Sequence, residues 1–275
     1  MPPCSQLEAA INERYRETVD SGRIEWNPTL GHMLGHRSTR AFSTAELKPG
    51  TIEVLAAAAQ SAPTSSNTQS YSIVAVQDPS RKARLASLAD NQGFIATAPL
   101  LLLWVADLAR ARAVGAEGGE DLEALDYLET WLVASIDAML AAQNAVVAAA
   151  SLGLGSVYLG SMRNAPEAVA AEIGLPRGSY VVAGLSVGYP DPDRPTSVKP
   201  RLPQPVVLHR EQWTDAGQPA LIARHDDHMR AFRRSQGLPD AGWSQMLRDR
   251  FRNVAALRGR DQLVSILRRM GFALR

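Results

Sequence analysis

A proline-free, alanine-rich segment at residues 122–152 restricts the fold of this chain more than any other feature. Alanine has the highest helix propensity, and Ile136, Met139, Leu140 and Val147 lie among the alanines with no helix-breaking residue between them. The glycines that follow at 153–155 predict the end of the helix, because glycine tolerates the left-handed conformation that often closes one. One long helix, packed closely against its neighbours, is therefore predicted.

Shorter patterns predict the remaining elements. The runs at 71–77 and 100–106 predict central strands, and the second is so continuously apolar that both of its faces should be covered. The prolines at 189–205 predict an irregular loop. The other predicted elements are helices at 51–61 and 165–173, strands at 157–159 and 180–187, and two or three helical segments rich in arginine after Gln218.

Length and charge limit the organisation and the partners. The 275 residues are predicted to form a single domain, with residues 1–30 as an N-terminal extension of no assigned function and 218–275 as a helical C-terminal excursion. The formal net charge of +1 predicts no long-range attraction to nucleic acid or to an anionic membrane.

The sequence predicts a cytoplasmic protein. Charged residues such as Glu8 and Glu13 interrupt the first twenty positions, where an export signal needs an apolar run. The single cysteine, Cys4, cannot form an internal disulfide. The apolar stretches at 98–106 and 136–150 are expected to be too short or too interrupted to cross a bilayer.

Two short motifs resemble known functional motifs but lack the flanking residues that those motifs need. The pentapeptide GLSVG at 184–188 matches the nucleophile elbow of serine hydrolases, but that motif needs a helix directly after it, and Pro190 and Pro192 follow instead. The glycines at 153–155 resemble half of a dinucleotide-binding fingerprint, yet Tyr158 occupies the third glycine position. Neither a serine hydrolase nor a dinucleotide-binding loop is predicted.

Histidine pairs one helical turn apart raise the possibility of a metal site. His32 and His36 form one pair, and His225 and His228 form the other. Neither has the glutamate and third ligand that zinc requires, so solvated histidines and no metal are predicted.

Two cationic clusters are candidates for binding an anion. Residues 36–40 (HRSTR) place two guanidiniums and two hydroxyls within five positions, and 199–203 (KPRLP) hold Lys199 and Arg201 on an extended, proline-restrained backbone. Arginine offers phosphate a planar fork of donors, and hydroxyls add neutral donors. Each cluster taken alone is equally compatible with solvated surface charge.

Five blocks carry a resemblance to a known family through their order along the chain. They are His36-Arg37-Ser38-x-Arg40-x-Phe42, Thr64-Ser65-Ser66 with Gln69, Ala142-Gln143-Asn144 with 151–155 (SLGLG), 158–164 (YLGSMRN), and 199–203 (KPRLP). Together they resemble the NADPH-dependent, oxygen-insensitive nitroreductases and flavin reductases, from about residue 36 to 203.

The resemblance implies an α+β structure, the nitroreductase fold, with a central mixed, mainly antiparallel sheet surrounded by helices. It implies a homodimer that exchanges C-terminal segments and binds FMN at the interface. The implied activity is that of an NAD(P)H oxidoreductase, in which hydride passes to flavin N5 and then to a nitroaromatic, quinone or flavin acceptor. No catalytic acid or base is then required from the protein.

The resemblance also implies roles for individual residues. Phosphate and ribityl contacts are implied for His36, Arg37, Ser38, Arg40 and Arg201; contacts with the flavin ring for Thr64 and Gln92, one of them from the partner chain; and contacts along the ring edge for Tyr158, Leu159, Gly160 and Ser161. Ser65 and Gln69 complete the implied cofactor-binding set. Lys199 is implied on the pyrimidine side, where a fixed cation favours the negatively charged reduced flavin.

This chain departs from the family pattern in two places. Ser161 replaces the second glycine after the tyrosine, which narrows the pocket by one hydroxymethyl group. Arginines for the NADPH 2′-phosphate have only a loose match, so Arg40, Lys199, Arg233 and Arg234 are hypothetical contacts.

Two alternative functions remain open. A protein of the same fold could bind or sense flavin without catalysis, and would then hold FMN that NAD(P)H does not reduce. The arginine-rich tail could bind nucleic acid with a steep salt dependence. Five interleaved aspartates argue against this: Asp226, Asp227, Asp240, Asp249 and Asp261.

Overall fold

The computed structural model describes residues 6–19 and 24–275. Cys4, and those parts of the predicted N-terminal extension that fall at 1–5 and 20–23, lie outside the described residues. The chain divides into two units: Met1–Arg37 with Thr196–Leu257, and Ser38–Pro195 with Arg258–Arg275. We call them the first and the second unit.

The second unit is built around an antiparallel sheet. Its strands are β1 (Tyr71–Val76), β2 (Leu100–Asp107), β3 (Gly155–Leu159) and β4 (Ser179–Gly188). They lie in the order β1-β2-β4-β3, and every neighbouring pair is antiparallel. A parallel bridge between Ser38 and Ser156 adds the mixed character that was predicted.

The two apolar runs occupy different places in this sheet. β2 is central and almost fully buried, as predicted, because its neighbours β1 and β4 pair with both of its edges. The prediction that 71–77 is also a central strand is wrong: β1 is an edge strand among the described residues, and most of its inner positions are only partly buried.

Helices surround the sheet and form the rest of the structure. The α-helices of the described residues are α1 (Gln6–Tyr15), α2 (Pro28–Leu34), α3 (Thr51–Gln60), α4 (Pro79–Leu88), α5 (Gly93–Thr97), α6 (Ala109–Gly118), α7 (Leu128–Ser151), α8 (Pro166–Glu172), α9 (Gln204–Val207), α10 (Gln218–Ser235), α11 (Trp243–Phe251) and α12 (Leu263–Arg269). The helices predicted at 51–61 and 165–173 and the helical segments after Gln218 are confirmed.

The long helix α7 begins later than predicted. A single 3-10 turn at Glu123–Asp126 precedes it, and Tyr127 has an extended backbone conformation, so the regular helix starts at Leu128. Its buried alanines pack against α3 and the sheet in a cluster that includes Leu55, Leu102 and Trp104. Small side chains thus allow the close packing that the sequence predicted.

The expectation that no segment could cross a bilayer is wrong in one respect. Helix α7 is long and apolar enough to do so, judged by length and composition alone. Its buried face is part of the core just described, and core helices of globular proteins commonly meet the same criterion.

Candidate functional site

The end of strand β3 brings together the residues predicted to line the flavin ring. Tyr158 and Leu159 close the strand, and Gly160 and Ser161 begin a 3-10 turn that runs to Arg163. Arg163 donates a hydrogen bond to the Val182 carbonyl at 2.5 Å and lies over Gly160, where an added Cβ would approach its Nη2 atom to 3.3 Å. The turn is therefore fixed from one side, and its glycine permits the close approach.

Gln92 is held against this turn. Its Nε2 atom donates to Ser161 Oγ at 2.8 Å and to the Ala89 carbonyl at 3.1 Å, so both amide hydrogens are used within the protein. The side-chain oxygen of Gln92 remains available as an acceptor. The structure thus joins Gln92 and Ser161, two residues that are far apart in sequence and were predicted to bind the same cofactor.

Tyr158 keeps its proton near neutral pH. Burial raises the pKa of its phenol well above the ordinary value. The hydroxyl lies 3.4 Å from Gln143 Oε1, to which it donates. Tyr158 is therefore a neutral side chain whose hydroxyl is oriented by Gln143.

Ser38 lies at the edge of the same strand. Its bridge to Ser156, together with the bond from the Thr39 amide to the Ser156 carbonyl at 2.9 Å, continues the sheet past β3. Gly155 has no room for a Cβ, because the Thr39 side chain occupies that space. This contact fixes the start of the segment that carries Arg40, whose side chain is exposed.

The polar loop at 64–69 is fastened by two charged residues that were not predicted as part of the site. Buried Asp137 of α7 accepts from the Ser65 amide at 3.1 Å, and Arg110 donates to the Gln69 carbonyl at 3.0 Å. Gln69 has a positive φ of 51°, and its amide lies 3.4 Å from Thr64 Oγ1. The loop exposes Ser65 and Gln69, while Thr64 is half-buried.

Within the first unit, Arg14 contacts the first residue of each cationic cluster, His36 and Lys199. This buried guanidinium donates to the His36 carbonyl at 2.7 Å and to the Lys199 carbonyl at 3.0 Å. Burial lowers the pKa of His36, and the positive charges of Arg14 and Arg201 lower it further. His36 is thus neutral at physiological pH and close to both arginines, while Arg37 is exposed.

A cavity of about 570 Å³ lies beside the second cluster. Lys199 and Arg201 line it together with Tyr15, Leu202, His225 and Trp243. His36 and Arg37, although in the same unit, are not among the described residues that line it.

The prediction of solvated histidines is wrong for His225. It is 1% exposed, and its Nδ1 has no hydrogen-bond partner among the described residues. His225, Met229 and Phe232 recur at helical spacing on the buried face of α10, which explains the burial.

Two of the hypothetical NADPH contacts, Arg233 and Arg234, have other partners within the chain. Arg233 donates to the Pro239 carbonyl at 2.6 Å, and Arg234 lies 3.1 Å from Asp240. Both partners in the second pair are more than half exposed, so the pair is weak and open to competition by another anion.

Three arginines that were predicted as phosphate ligands form no ion pair with the described residues. Among the described residues, no carboxylate lies within 4 Å of Arg37, Arg40 or Arg201. Ion pairs between described residues are formed by other arginines, among them Arg81, Arg84, Arg110, Arg112, Arg224, Arg230, Arg234, Arg252, Arg258, Arg269 and Arg275. The three unpaired guanidiniums are therefore free to bind an anionic ligand.

Comparison with known proteins gives a consistent set of relatives. A model of the nitroreductase family matches residues 33–189, and a model of the family's C-terminal domain matches residues 199–275. A Bacillus subtilis protein named FMN reductase, NAD(P)H, is 34% identical over 226 residues, covering 80% of this chain and 90% of that protein.

Solved structures agree with these matches. The structure of B. megaterium NfrA2 has a TM-score of 0.84 at 33% identity, and the match covers 91% of this chain and 100% of that chain. The Vibrio harveyi NADPH:FMN oxidoreductase complexed with NAD+ has a TM-score of 0.80 at 31% identity, and the match covers 90% of this chain and 100% of that chain. The predicted nitroreductase fold is confirmed.

Proposed function

The chain belongs to the nitroreductase family, and we propose that it binds FMN and uses it to pass electrons from NAD(P)H to a small-molecule acceptor. The observation that carries this proposal is the set of unpaired guanidiniums at Arg37, Arg40 and Arg201. A flavin phosphate supplies the anion that they lack.

The residues present fit such a cofactor chemically. Charged and neutral donors suit a phosphate, and the β3 turn offers the Gln92 oxygen and half-exposed backbone at Gly160 to a planar polar ring. Bound FMN supplies the hydride chemistry. The protein binds and orients it, and Lys199 and Arg201 add fixed positive charge.

We assign the individual contacts as the resemblance implies. His36, Arg37, Ser38, Arg40 and Arg201 hold the phosphate end. The residues toward the ring are Thr64, Ser65, Gln69, Gln92, Tyr158, Leu159, Gly160, Ser161 and Lys199. This division is supported by the three arginines of the first group and by the second group, in which Lys199 alone is charged.

We further propose a cytoplasmic homodimer. Its support is an apolar stripe of α7, formed by Leu128, Leu132, Ile136 and Leu140, each 42–51% exposed. Residues four apart share one helix face, and a contiguous exposed apolar face marks an interface. Exchange of C-terminal segments at 218–275 and function as a single domain remain parts of this proposal.

A preference for NADPH over NADH is a separate proposal. It rests on Arg233 and the weakly paired Arg234, with Arg40 and Lys199 as the other contacts. Steady-state kcat/KM values for the two nucleotides test it, and equal values contradict it. A panel of nitroaromatic, quinone and flavin acceptors then identifies the class of acceptor.

The central test uses the purified full chain. It should be yellow, bind one FMN per chain and bleach anaerobically when NAD(P)H is added. Arg201→Gln should raise the FMN dissociation constant by about tenfold, since a charge-assisted phosphate contact is lost. Arg252→Gln, at an exposed pair, is the matched control and should leave it unchanged.

Two results would contradict the proposal in different ways. Bound FMN that NAD(P)H cannot reduce would indicate the non-catalytic flavin-binding alternative. A chain that binds no FMN would remove the proposed function altogether. The nucleic-acid alternative has little support, because Arg230, Arg234 and Arg252 of the basic tail pair with neighbouring aspartates.

A further inference from the structure

The segment that precedes the family match contributes to the proposed cofactor site. The match begins at residue 33, whereas helix α1 spans Gln6–Tyr15. Family resemblance therefore assigns nothing to α1. The structure nevertheless ties residues 14–17 to the cationic segments of the first unit.

Arg14 makes the central contacts. Its Nε and Nη2 atoms donate to the Leu34 carbonyl at 3.1 and 2.5 Å, Nη2 also reaches the His36 carbonyl at 2.7 Å, and Nη1 reaches the Lys199 carbonyl at 3.0 Å. In return, the Arg201 amide donates to the Arg14 carbonyl at 2.9 Å. One residue thus fixes both segments that carry the proposed phosphate ligands.

Neighbouring residues strengthen this attachment. Arg16 donates to the Val198 carbonyl, next to Lys199, at 3.1 Å. Glu17 pairs instead with Arg224 of α10, outside both cationic segments, at 2.6 Å. Tyr15 lines the cavity that contains Lys199 and Arg201. The attachment is therefore made by several consecutive residues rather than by one side chain alone.

The electrostatics also point toward an anion. Arg14 is 6% exposed, and its hydrogen bonds go to carbonyl oxygens, not to a carboxylate. Burial lowers the pKa of Arg14, and the positive charge of Arg201 lowers it further. A bound anion near Arg201 would relieve this repulsion between like charges.

A simpler interpretation explains only part of the geometry. Arginine near the end of a helix can cap its last carbonyls, and Leu34 is the last residue of α2. Capping accounts for the bond to Leu34. It does not account for the bond to Lys199, 185 positions away.

We propose that Arg14 is a positioning residue of the cofactor site, which holds the backbone at His36 and at Lys199 so that their neighbouring cations converge on the FMN phosphate. This inference rests on the proposed function. Arg14 itself does not touch the cofactor, because its donors are occupied by carbonyl oxygens.

The test compares FMN with riboflavin, which lacks the phosphate. Arg14→Gln in the full chain should raise the dissociation constant of FMN by about tenfold or more and that of riboflavin by less than about twofold, as measured by flavin fluorescence. At saturating FMN, kcat should stay within about twofold of the original, because Lys199 is the one residue assigned to the ring that Arg14 contacts among the described residues, and the contact is with its backbone carbonyl.

Two further variants make the result decisive. Arg14→Lys keeps the charge but loses the planar fork of donors, so it should raise the dissociation constant of FMN by about threefold to tenfold. This variant decides the question if Arg14→Gln does not fold. Arg224→Gln breaks the attachment of the same segment to α10 and should leave the ratio of the two constants unchanged.

The inference is overturned if the FMN and riboflavin constants rise by the same factor, or if neither changes. Original protein that binds no FMN would instead refute the proposed function. If the unsubstituted protein binds FMN but the Arg14 variants leave the ratio of the FMN and riboflavin dissociation constants unchanged, this inference alone is refuted.

Discussion

Ser161 occupies a position where the family pattern has a glycine, and its hydroxyl accepts a hydrogen bond that Gln92 could otherwise donate to a ligand. The Gln92 amide group donates to Ser161 Oγ and to the Ala89 carbonyl, so neither hydrogen is free. Gln92, which is implied to contact the flavin ring, can therefore offer a ligand only its side-chain oxygen, as an acceptor. Ser161 is itself buried, which protects this hydrogen bond from water.

Replacing Ser161 with glycine should release one amide hydrogen of Gln92. If that hydrogen then bonds to the reduced flavin, the two-electron reduction potential should rise by about 20 mV, which corresponds to about 1 kcal/mol for one hydrogen bond. Equilibration of Ser161→Gly with a reference dye under anaerobic conditions measures the shift.

A double-mutant cycle provides the control. In a Gln92→Leu background the donor is absent, so the additional Ser161→Gly change should leave the potential unaltered. A rise of equal size in both backgrounds would show that the serine acts on the flavin without Gln92.

Residue contacts were predictable only where the chain carries a family block. His36, Arg201 and the β3 turn could be singled out from sequence, although their contacts with a cofactor remain predictions. Arg14 could not be singled out, because its partners are backbone carbonyls up to 185 positions away and any residue type supplies a carbonyl.

At the scale of elements, hydrophobic patterning predicted what depends on local sequence. The apolar run of β2 and the alanines of α7 fix their own secondary structure and burial. Whether a strand lies at the edge or the centre of a sheet depends on which strands pair with it. Local sequence does not encode this pairing, so β1 was wrongly predicted to be central.

Helix α7 also anchors the loop at 64–69 through Asp137. This carboxylate is 1% exposed and is 72 positions from its partner, the Ser65 amide. A polar residue within an alanine-rich helix gave no indication of such a role. The anchor couples a central core helix to a loop implied in cofactor binding.

Asp137→Ala should therefore loosen the loop. Loss of the acceptor leaves the Ser65 amide unpaired, and the free energy of unfolding should fall by about 1–3 kcal/mol. Hydrogen exchange at residues 64–69 should accelerate. Ser135→Ala on the same helix, which removes only a local bond to the Trp131 carbonyl, should leave exchange in the loop unaltered; equal acceleration would disprove the anchoring role.

On the scale of the whole molecule, α7 has two apolar faces, one buried and one exposed among the described residues. The alanine face is buried in the second unit, and the face of Leu128, Leu132, Ile136 and Leu140 is left exposed in the single chain. The length and composition that suit a membrane span are equally those of a helix buried on both sides in a dimer. A second copy of this chain is the occupant that the proposed function requires.

Charges placed on that stripe should separate the subunits. In Leu132→Glu/Ile136→Glu each copy would bury two unpaired carboxylates in the interface, a penalty of several kcal/mol. Light scattering coupled to size-exclusion chromatography should show a mass near 29.7 kDa instead of about twice that value. The affinity for FMN should also fall when the dimer separates, because one contact with the flavin ring is implied to come from the partner chain. Val114→Glu, at a 63% exposed position of α6, should remain dimeric with unaltered affinity. If the original chain proves monomeric while binding FMN fully, the stripe has another function and the site is complete within one subunit.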